Sequence, residues 1–440
     1  PGIPVGVIER VLITGGRTVS CEGESGPQPV SIRISRRKVK CFTQVGVPQA
    51  YRAVPPTGAS MGIIRRMRLF IASGIFHPEP GGPATYLYRL LPELIARGHS
   101  VTALSFGDDP VSGYPYPLVR VSRRTSYPAR MAAYYRAAAR LWPGHDLAYL
   151  HTLELPLPAR VRPRIARIGG DIAWERATRL GWVAPGTDVA TFQSRHYALK
   201  VEANKAVRAG ITRGLAHVIV PSEHLKRIVL GWGVRPERIS VIYSAVDFGD
   251  SPLLISQEEA RTQLGLLPDA PLLLTVARLV PFKRIDETIR AIAQIPDVHL
   301  LIVGDGEIRP ALEAQAAALN ISGRVHFAGY VPHENLPLYY RAADYTLLYS
   351  AGEGLSHVLL ESLFAGTPLI ASDKGGNPEV VQHGVNGLLT PYPDPDALTE
   401  TIRQAGLPGQ REALAAGTST GLERFRWETL VAQTAALLES

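Results

Sequence analysis

The sequence predicts an α/β protein of two doubly wound domains that face each other across a cleft. Three observations carry this prediction. Between Met67 and Tyr243, apolar runs of strand length alternate with helix-period segments, the pattern of a parallel sheet covered by helices. The same alternation restarts at Pro271 and continues nearly to the C-terminus. With 440 residues, 45% hydrophobic and 20% charged, the chain has material for two or three ordinary cores.

The first domain opens with MRLFIASGIF, an apolar strand, followed by the loop HPEPGGPATY and a helix through Arg97. Gly81 and Gly82 in that loop let backbone approach a ligand, although the G-x-G-x-x-G spacing of a dinucleotide fingerprint is absent. Gly98-His99 ends the helix, with His99 expected as a capping residue, and SVTALSF forms the second strand. RPRIARIGGDIAWERA reads as a strand running into a loop at Gly169-Gly170-Asp171, with a helix behind it. Loops at the carboxyl ends of parallel strands carry ligands, which makes Asp171 a candidate for substrate contact. Capping of the following helix is the alternative role for this residue. His77 and His151 are weaker candidates. AHVIVPS, EHLKRIVLGW and GVRPERISVIY complete the domain as strand, helix and strand, and residues 244–249 form the crossover.

The second domain begins with PLLLTVARLVPFKRIDETIRAI. Arg278 follows a buried-looking strand and Lys283 stands five residues on, so one strand-end loop presents two cations, a pyrophosphate clamp in outline. HLLIVGDGE adds a strand and a turn at Gly304-Asp305-Gly306, which carries only part of a dinucleotide motif and reads as a turn near a nucleotide. RVHFAGYVPHENLPLYYRAADYTLLYS supplies two more strands with a helix between them.

Residues 351–381 are the most informative stretch. Glu353 sits in the turn Gly352-Glu353-Gly354, and Leu355, Val358, Leu359, Leu363 and Phe364 then follow at helical spacing. Glu353 therefore precedes a helix and Glu361 lies within it. Eight residues at about 1.5 Å each separate the two carboxylates by roughly 12 Å along the axis. That span suits a nucleotide diphosphate sugar, with a sugar hydroxyl at one end and a ribose at the other. Between the glutamates, Gly354, Leu355 and Ser356 offer unpaired backbone N–H groups and the positive end of the helix dipole to a diphosphate. Glu361 stands among leucines, so its carboxylate needs hydrogen-bond partners, a need that ligand hydroxyls would meet. Asp394 and Asp396 look like a metal motif, but Pro395 interrupts them and a helix follows, so capping is expected and no metal site is assigned.

The run EGLSHVLLESLFAGTPLIASDKGGNPEVV closely resembles the signature of the family 4 (group 1) retaining glycosyltransferases of GT-B fold, and the similarity extends from about Met67 to the C-terminus. The resemblance implies two Rossmann-like domains: an acceptor-side domain over residues 67–245 and a nucleotide-sugar-binding domain over residues 246–423. A C-terminal helix, residues 424–440, would cross back to the first. It also implies roles. Glu353 would meet hydroxyls of the donor sugar and Glu361 the donor ribose, while Arg278 and Lys283 would hold the phosphates. The loop of Gly82 would border the diphosphate and the acceptor, and Val331, in the turn Gly329-Tyr330-Val331, would face the base. The chain departs from the family pattern at three places. Gly170-Asp171 stands where many relatives place a His facing the transferred sugar, Ser244 where Asn is common, and Arg284 where Gly is usual. Asp171 is the candidate substitute for that His. The implied activity is retaining transfer of a sugar, as in bacterial mannosyltransferase-like members, from a nucleotide sugar to a lipid-linked or polysaccharide acceptor, with no cofactor and no metal. A nucleotide-sugar epimerase of the same fold is the alternative. A catalytically dead sugar-nucleotide-binding protein is the other, although such a protein should have lost one of Arg278, Lys283, Glu353 or Glu361.

Charge is unevenly spread. Residues 1–66 carry a net +7, residues 67–245 a net +12 and residues 246–440 a net −11. A basic half joined to an acidic half suits an anionic partner such as a membrane surface, and equally suits two charge-complementary walls of one cleft. Within the basic half, residues 128–142 put Met131, Tyr134, Tyr135, Ala138, Leu141 and Trp142 on one face, with Arg130, Arg136 and Arg140 off it. Packing of that face on its own sheet is the first expectation and contact with a membrane interface the second. Residues 1–66 lack sustained periodicity and are expected to be an extension that is disordered or holds a few weak strands. Their basic cluster Arg36-Arg37-Lys38 has no interleaved aromatics, so nucleic acid is not expected as a partner. Both cysteines, Cys21 and Cys41, lie there, which leaves the rest without thiol chemistry. No apolar run reaches the 18 or so residues of a membrane span and the start lacks a secretory layout. The expected location is the cytoplasm, with peripheral contact at the inner face of the membrane.

Overall fold

In a computed structural model, residues 66–79, 81–184, 186–246 and 255–440 are described. The expected extension, apart from Arg66, and residues 247–249 of the crossover lie outside them. The apolar runs of the first half become seven strands: β1 (Arg68–Ser73), β2 (Ser100–Phe106), β3 (Leu118–Val121), β4 (Leu147–Leu150), β5 (Arg164–Arg167), β6 (His217–Val220) and β7 (Ile239–Val241). All pair in parallel, in the order β3-β2-β1-β4-β5-β6-β7. The second half supplies β8 (Leu272–Val276), β9 (His299–Val303), β10 (Val325–Gly329), β11 (Tyr345–Leu348), β12 (Leu369–Ser372) and β13 (Gly387–Thr390). They too run parallel, in the order β10-β9-β8-β11-β12-β13. Parallel strands are covered on both faces and therefore read as nearly unbroken apolar runs; all five residues of β8 are buried.

In each sheet the order reverses beside the domain's first strand, at β1/β4 and at β8/β11. Such a switch point opens a crevice at the carboxyl ends of the strands. Both the Arg278 loop, which follows β8, and the Glu353 turn, which follows β11, are placed there.

The helix Tyr127–Leu141 lays Tyr134 and Ala138 against the first sheet, and the Tyr134 hydroxyl donates to the Leu104 carbonyl at 3.0 Å. Met131, Leu141 and Trp142 pack on the same core, whereas Tyr127 and Tyr135 remain exposed. The C-terminal helix Trp427–Glu439 returns to the first sheet, burying Trp427, Leu430, Val431, Ala435 and Leu438 in one cluster with Leu69, Ile71, Leu87 and Leu90. His99 caps the helix Gly82–Ala96 as expected, its backbone N–H donating to the Leu94 carbonyl at 3.1 Å beyond the left-handed Gly98, and its ring serves this junction as well. Its Nδ1 accepts the Met67 N–H at 3.3 Å and its Nε2 lies 3.0 Å from Glu439.

The two halves meet through specific contacts. The Ser222 hydroxyl donates to the Gly354 carbonyl at 2.5 Å. Glu379 accepts the N–H groups of Glu223 and His224, at 2.8 and 2.7 Å, and so completes the first turn of the helix Glu223–Gly231 from the opposite half. The Trp174 and Phe282 rings pack 5.1 Å apart.

Candidate active site

The loop after β8 carries the cations. A short 3₁₀ turn, Pro281–Lys283, lifts Lys283 toward the Glu353 turn, where its Nζ meets Oε1 of Glu353 at 2.5 Å; the side chains are only 17% and 14% exposed. Arg278 is exposed and makes no hydrogen bond or ion pair with other described residues. Arg284, which stands where glycine is usual in the family, adopts a left-handed φ of 47°. A side chain there is strained. Its guanidinium holds the turn by pairing with Asp286 at 3.1 Å and with Glu287.

Gly304, half-buried, packs against this loop: a methyl group on it would come within 1.9 Å of the Ala277 carbonyl. Its φ of 123° also favours glycine. Gly304 therefore permits the close approach of the turn after β9 to the Arg278 loop. Gly82, by contrast, starts the helix Gly82–Ala96 and faces open space. Val331 packs partly buried against the β8–β9 core, next to the exposed Tyr330.

After β11 the chain turns through Gly352-Glu353-Gly354 and enters the helix His357–Phe364, capped by Ser356, whose hydroxyl accepts from Leu359 N. Close packing fixes the turn, since a methyl group on Gly375 or Gly376 would run into the backbone of Glu353 or Gly354. Leu355 and Ser356 are buried at the start of this helix, which points its dipole toward the Lys283–Glu353 pair.

Glu361 is 6% exposed. Its carboxylate is already bonded by the protein: Tyr340 donates at 2.6 Å and His333 Nε2 lies at 3.0 Å. The donors that its apolar surroundings call for thus come at least in part from the protein itself. A carboxylate has about four acceptor positions, and two remain for a ligand. The hydrogen bond and charge of Glu361 hold the His333 pKa above its ordinary value. Burial, reinforced by the same carboxylate, pushes the Tyr340 hydroxyl well above its own.

Asp171 requires a correction. It is 1% exposed, caps the helix Ile172–Arg179 through the N–H groups of Ala173 and Trp174, accepts from Gln193 at 2.8 Å and pairs with the buried Arg208. With its oxygens engaged inside the domain, it does not face the cleft. His151 is likewise interior, its pKa pushed down to about 3 by burial and by Arg167, and His77 stacks on Tyr88 at 3.9 Å. Asp394 caps the helix Pro395–Ala405 by accepting from Ala397 N at 2.9 Å.

Two cleft residues were not singled out in the sequence. His357, the first residue of its helix, is solvent-reached yet crowded by neighbouring atoms, and that crowding lowers its pKa. Glu175 lies across from it in the first domain, among Asp171, Arg278, Glu353 and Lys283. Each looks like an ordinary helix residue in one dimension.

Two parallel sheets, with strand-end cations and a helix start gathered beside a carboxylate, make an arrangement chemically able to hold an anionic group. The comparisons narrow this class. Residues 80–249 match the Glycosyltransferase Family 4 model and residues 256–411 the model of the Glycosyl transferases group 1. The chain belongs to this glycosyltransferase family. It is 32% identical over 253 residues to a D-inositol 3-phosphate glycosyltransferase of Thermomonospora curvata, a match covering 53% of this chain and 58% of that protein. It is 28% identical over 405 residues to a GDP-mannose-dependent alpha-(1-6)-phosphatidylinositol monomannoside mannosyltransferase of Mycolicibacterium smegmatis, covering 84% of this chain and 98% of the other. Among solved structures, a sucrose-phosphate synthase from Thermosynechococcus elongatus superposes with a TM-score of 0.70 at 24% identity, over 84% of this chain and 98% of that one, a likeness of fold.

Proposed function

We propose that the protein moves a sugar from a nucleotide diphosphate sugar to an acceptor hydroxyl with retention of anomeric configuration and without a metal. The observation that carries this reading is the Lys283–Glu353 pair beside the unpaired Arg278, at the head of the helix His357–Phe364. Chemistry at the sugar carbon passes through an oxocarbenium-like state while the leaving diphosphate gathers negative charge. Arg278, Lys283 and the helix N-terminus would meet that charge, and fixed cations of this kind favour the transition state over the ground state. On this reading Glu353 holds the sugar and Glu361, some two helical turns on, the ribose. Mannose from GDP and a lipid-linked or polysaccharide acceptor are the substrates we favour, the former because the Mycolicibacterium smegmatis relative is a GDP-mannose-dependent mannosyltransferase.

The acceptor side has its own proposal. The basic half, with Tyr127 and Tyr135 exposed near Arg124, Arg130 and Arg136, makes peripheral contact with anionic membrane. Among the described residues no helix is long and apolar enough to cross one. Flotation with acidic vesicles should succeed at low salt and fade as salt screens the charges. Equal recovery with neutral vesicles, or none with either, contradicts the contact.

A heat-protection screen of the purified protein against UDP, GDP and ADP sugars tests the donor reading. At least one should raise the melting temperature, since a ligand bound only by the native state stabilises it by mass action. Protection by none would contradict a donor site here.

A further inference from the structure

Glu175 sits in the first turns of the helix Ile172–Arg179, three residues beyond its first residue. Its carboxyl curls back over the loop at the end of β5: a methyl group on Gly170 would lie 2.8 Å from Glu175 Oε1. The opposite half closes on the same point. A methyl group on Gly354 would come within 1.9 Å of the Gly169 carbonyl, and the Phe282 ring, next to Lys283, packs on Trp174. Glu175 therefore stands where the loops of β5, β8 and β11 converge.

Its charged surroundings are mixed. Asp171 and Glu353 repel its negative charge and Arg278 and Lys283 attract it, while burial by both halves is the largest influence and raises its pKa. The side chain is nonetheless exposed. Both statements hold for a group inside a narrow cleft that water still enters. No described residue donates a hydrogen bond to this carboxyl. A carboxyl so crowded is costly to the fold unless donors reach it.

The parts of a nucleotide sugar differ in what they offer such a group. The diphosphate is anionic and is repelled by a third carboxyl, whereas a sugar presents O–H donors. The ribose belongs beside Glu361, roughly 12 Å along the helix from Glu353. On the donor reading given above, on which this inference rests, we propose that Glu175 hydrogen-bonds a hydroxyl of the sugar held at Glu353 and so discriminates among sugars that differ at that hydroxyl.

The test measures, by calorimetry on the full chain, the affinity for UDP, GDP and ADP and for their glucose, galactose and mannose derivatives. Glu175→Ala should leave nucleoside diphosphate binding within about twofold and weaken the preferred nucleotide sugar by about tenfold or more, because a site built around a hydroxyl discriminates strongly once that bond is broken. Gly170→Ala should do the same by displacing the carboxyl, whose flexible end can move without disturbing the backbone. The double variant should lose no more than either single one, as for two changes acting through one contact. Loss of diphosphate and sugar nucleotide binding in equal measure, or unchanged binding of both, overturns the role of Glu175 and leaves the donor site standing. Failure of the unmodified protein to bind any of these nucleotides overturns the donor reading and this inference with it.

Discussion

Asp171 and Glu353 occupy equivalent places in the two halves: each lies just beyond the carboxyl end of a parallel strand, each precedes a helix and each pairs with a cation. Their surroundings separate them. Asp171 and Arg208 are closed inside the first domain, with further donors from Ala173, Trp174 and Gln193. Glu353 and Lys283 keep a partly open surface beside a free arginine and a helix start. A strand-end carboxylate is structural when every oxygen has an internal donor, and available to a ligand when some acceptor positions face the cleft. Position in the fold is common to both; the number of donors decides.

The largest test of that contrast is on stability. Asp171→Ala leaves the Arg208 guanidinium buried without its partner and should cost about 3–5 kcal/mol, the usual result of breaking a buried pair from one side. Lys283→Ala leaves Glu353 without its partner but with some of its surface open to water, and should cost less, about 1–3 kcal/mol. Denaturant titration of the two variants checks this, and equal losses would erase the distinction.

The second test is on turnover. Lys283→Ala should lower kcat by about a hundredfold or more, equivalent to about 2.7 kcal/mol of lost transition-state stabilisation. A chelator should change the rate of the unmodified protein far less. If chelation is the more damaging, or magnesium or manganese restores a chelated rate, cationic stabilisation does not rest on side chains alone.

Glu361 lies between the extremes, buried yet served by only two donors. Glu361→Gln keeps an oxygen for the Tyr340 hydroxyl, so melting should shift little. Donor affinity should fall by about tenfold, about 1.4 kcal/mol. Calorimetry set beside a melting curve would expose the opposite pattern, lost stability with donor affinity intact.

The smallest effect is with pH. Glu361 raises the folded-state pKa of His333, so the pair contributes stability that is fully present below the ordinary histidine pKa of about 6.5 and is lost as pH rises through the higher folded value. His333 is largely exposed, which limits the contribution to about 0.2–1 kcal/mol. Melting temperatures from pH 5.5 to 8.5 should fall slightly more for the unmodified protein than for His333→Gln. Parallel curves would dissociate the pair from stability.

Much of the architecture was legible because parallel strands buried on both faces leave unbroken apolar runs such as LLLTV and HLLIV. The strands β3, β4, β12 and β13 are four residues each and escaped that reading. The turn-then-helix placement of Glu353 and Glu361 was legible from glycine framing and apolar spacing. Their partners were not: Lys283 is 70 residues from Glu353, and Tyr340 and His333 are 21 and 28 from Glu361, separations that only the sheet order closes. Asp171 was misread for the same reason, its cation lying 37 residues downstream.

The central claim is that this cleft transfers a sugar with its configuration kept, using side-chain cations. NMR of the product, formed from the donor that gives the greatest heat protection and with chelator present throughout, measures this through the one-bond coupling between the anomeric carbon and its proton, which separates the two anomers even for mannose. The same anomeric configuration as in the donor is expected, at a rate close to that without chelator. An inverted anomer, or no product until a divalent metal is restored, would contradict it.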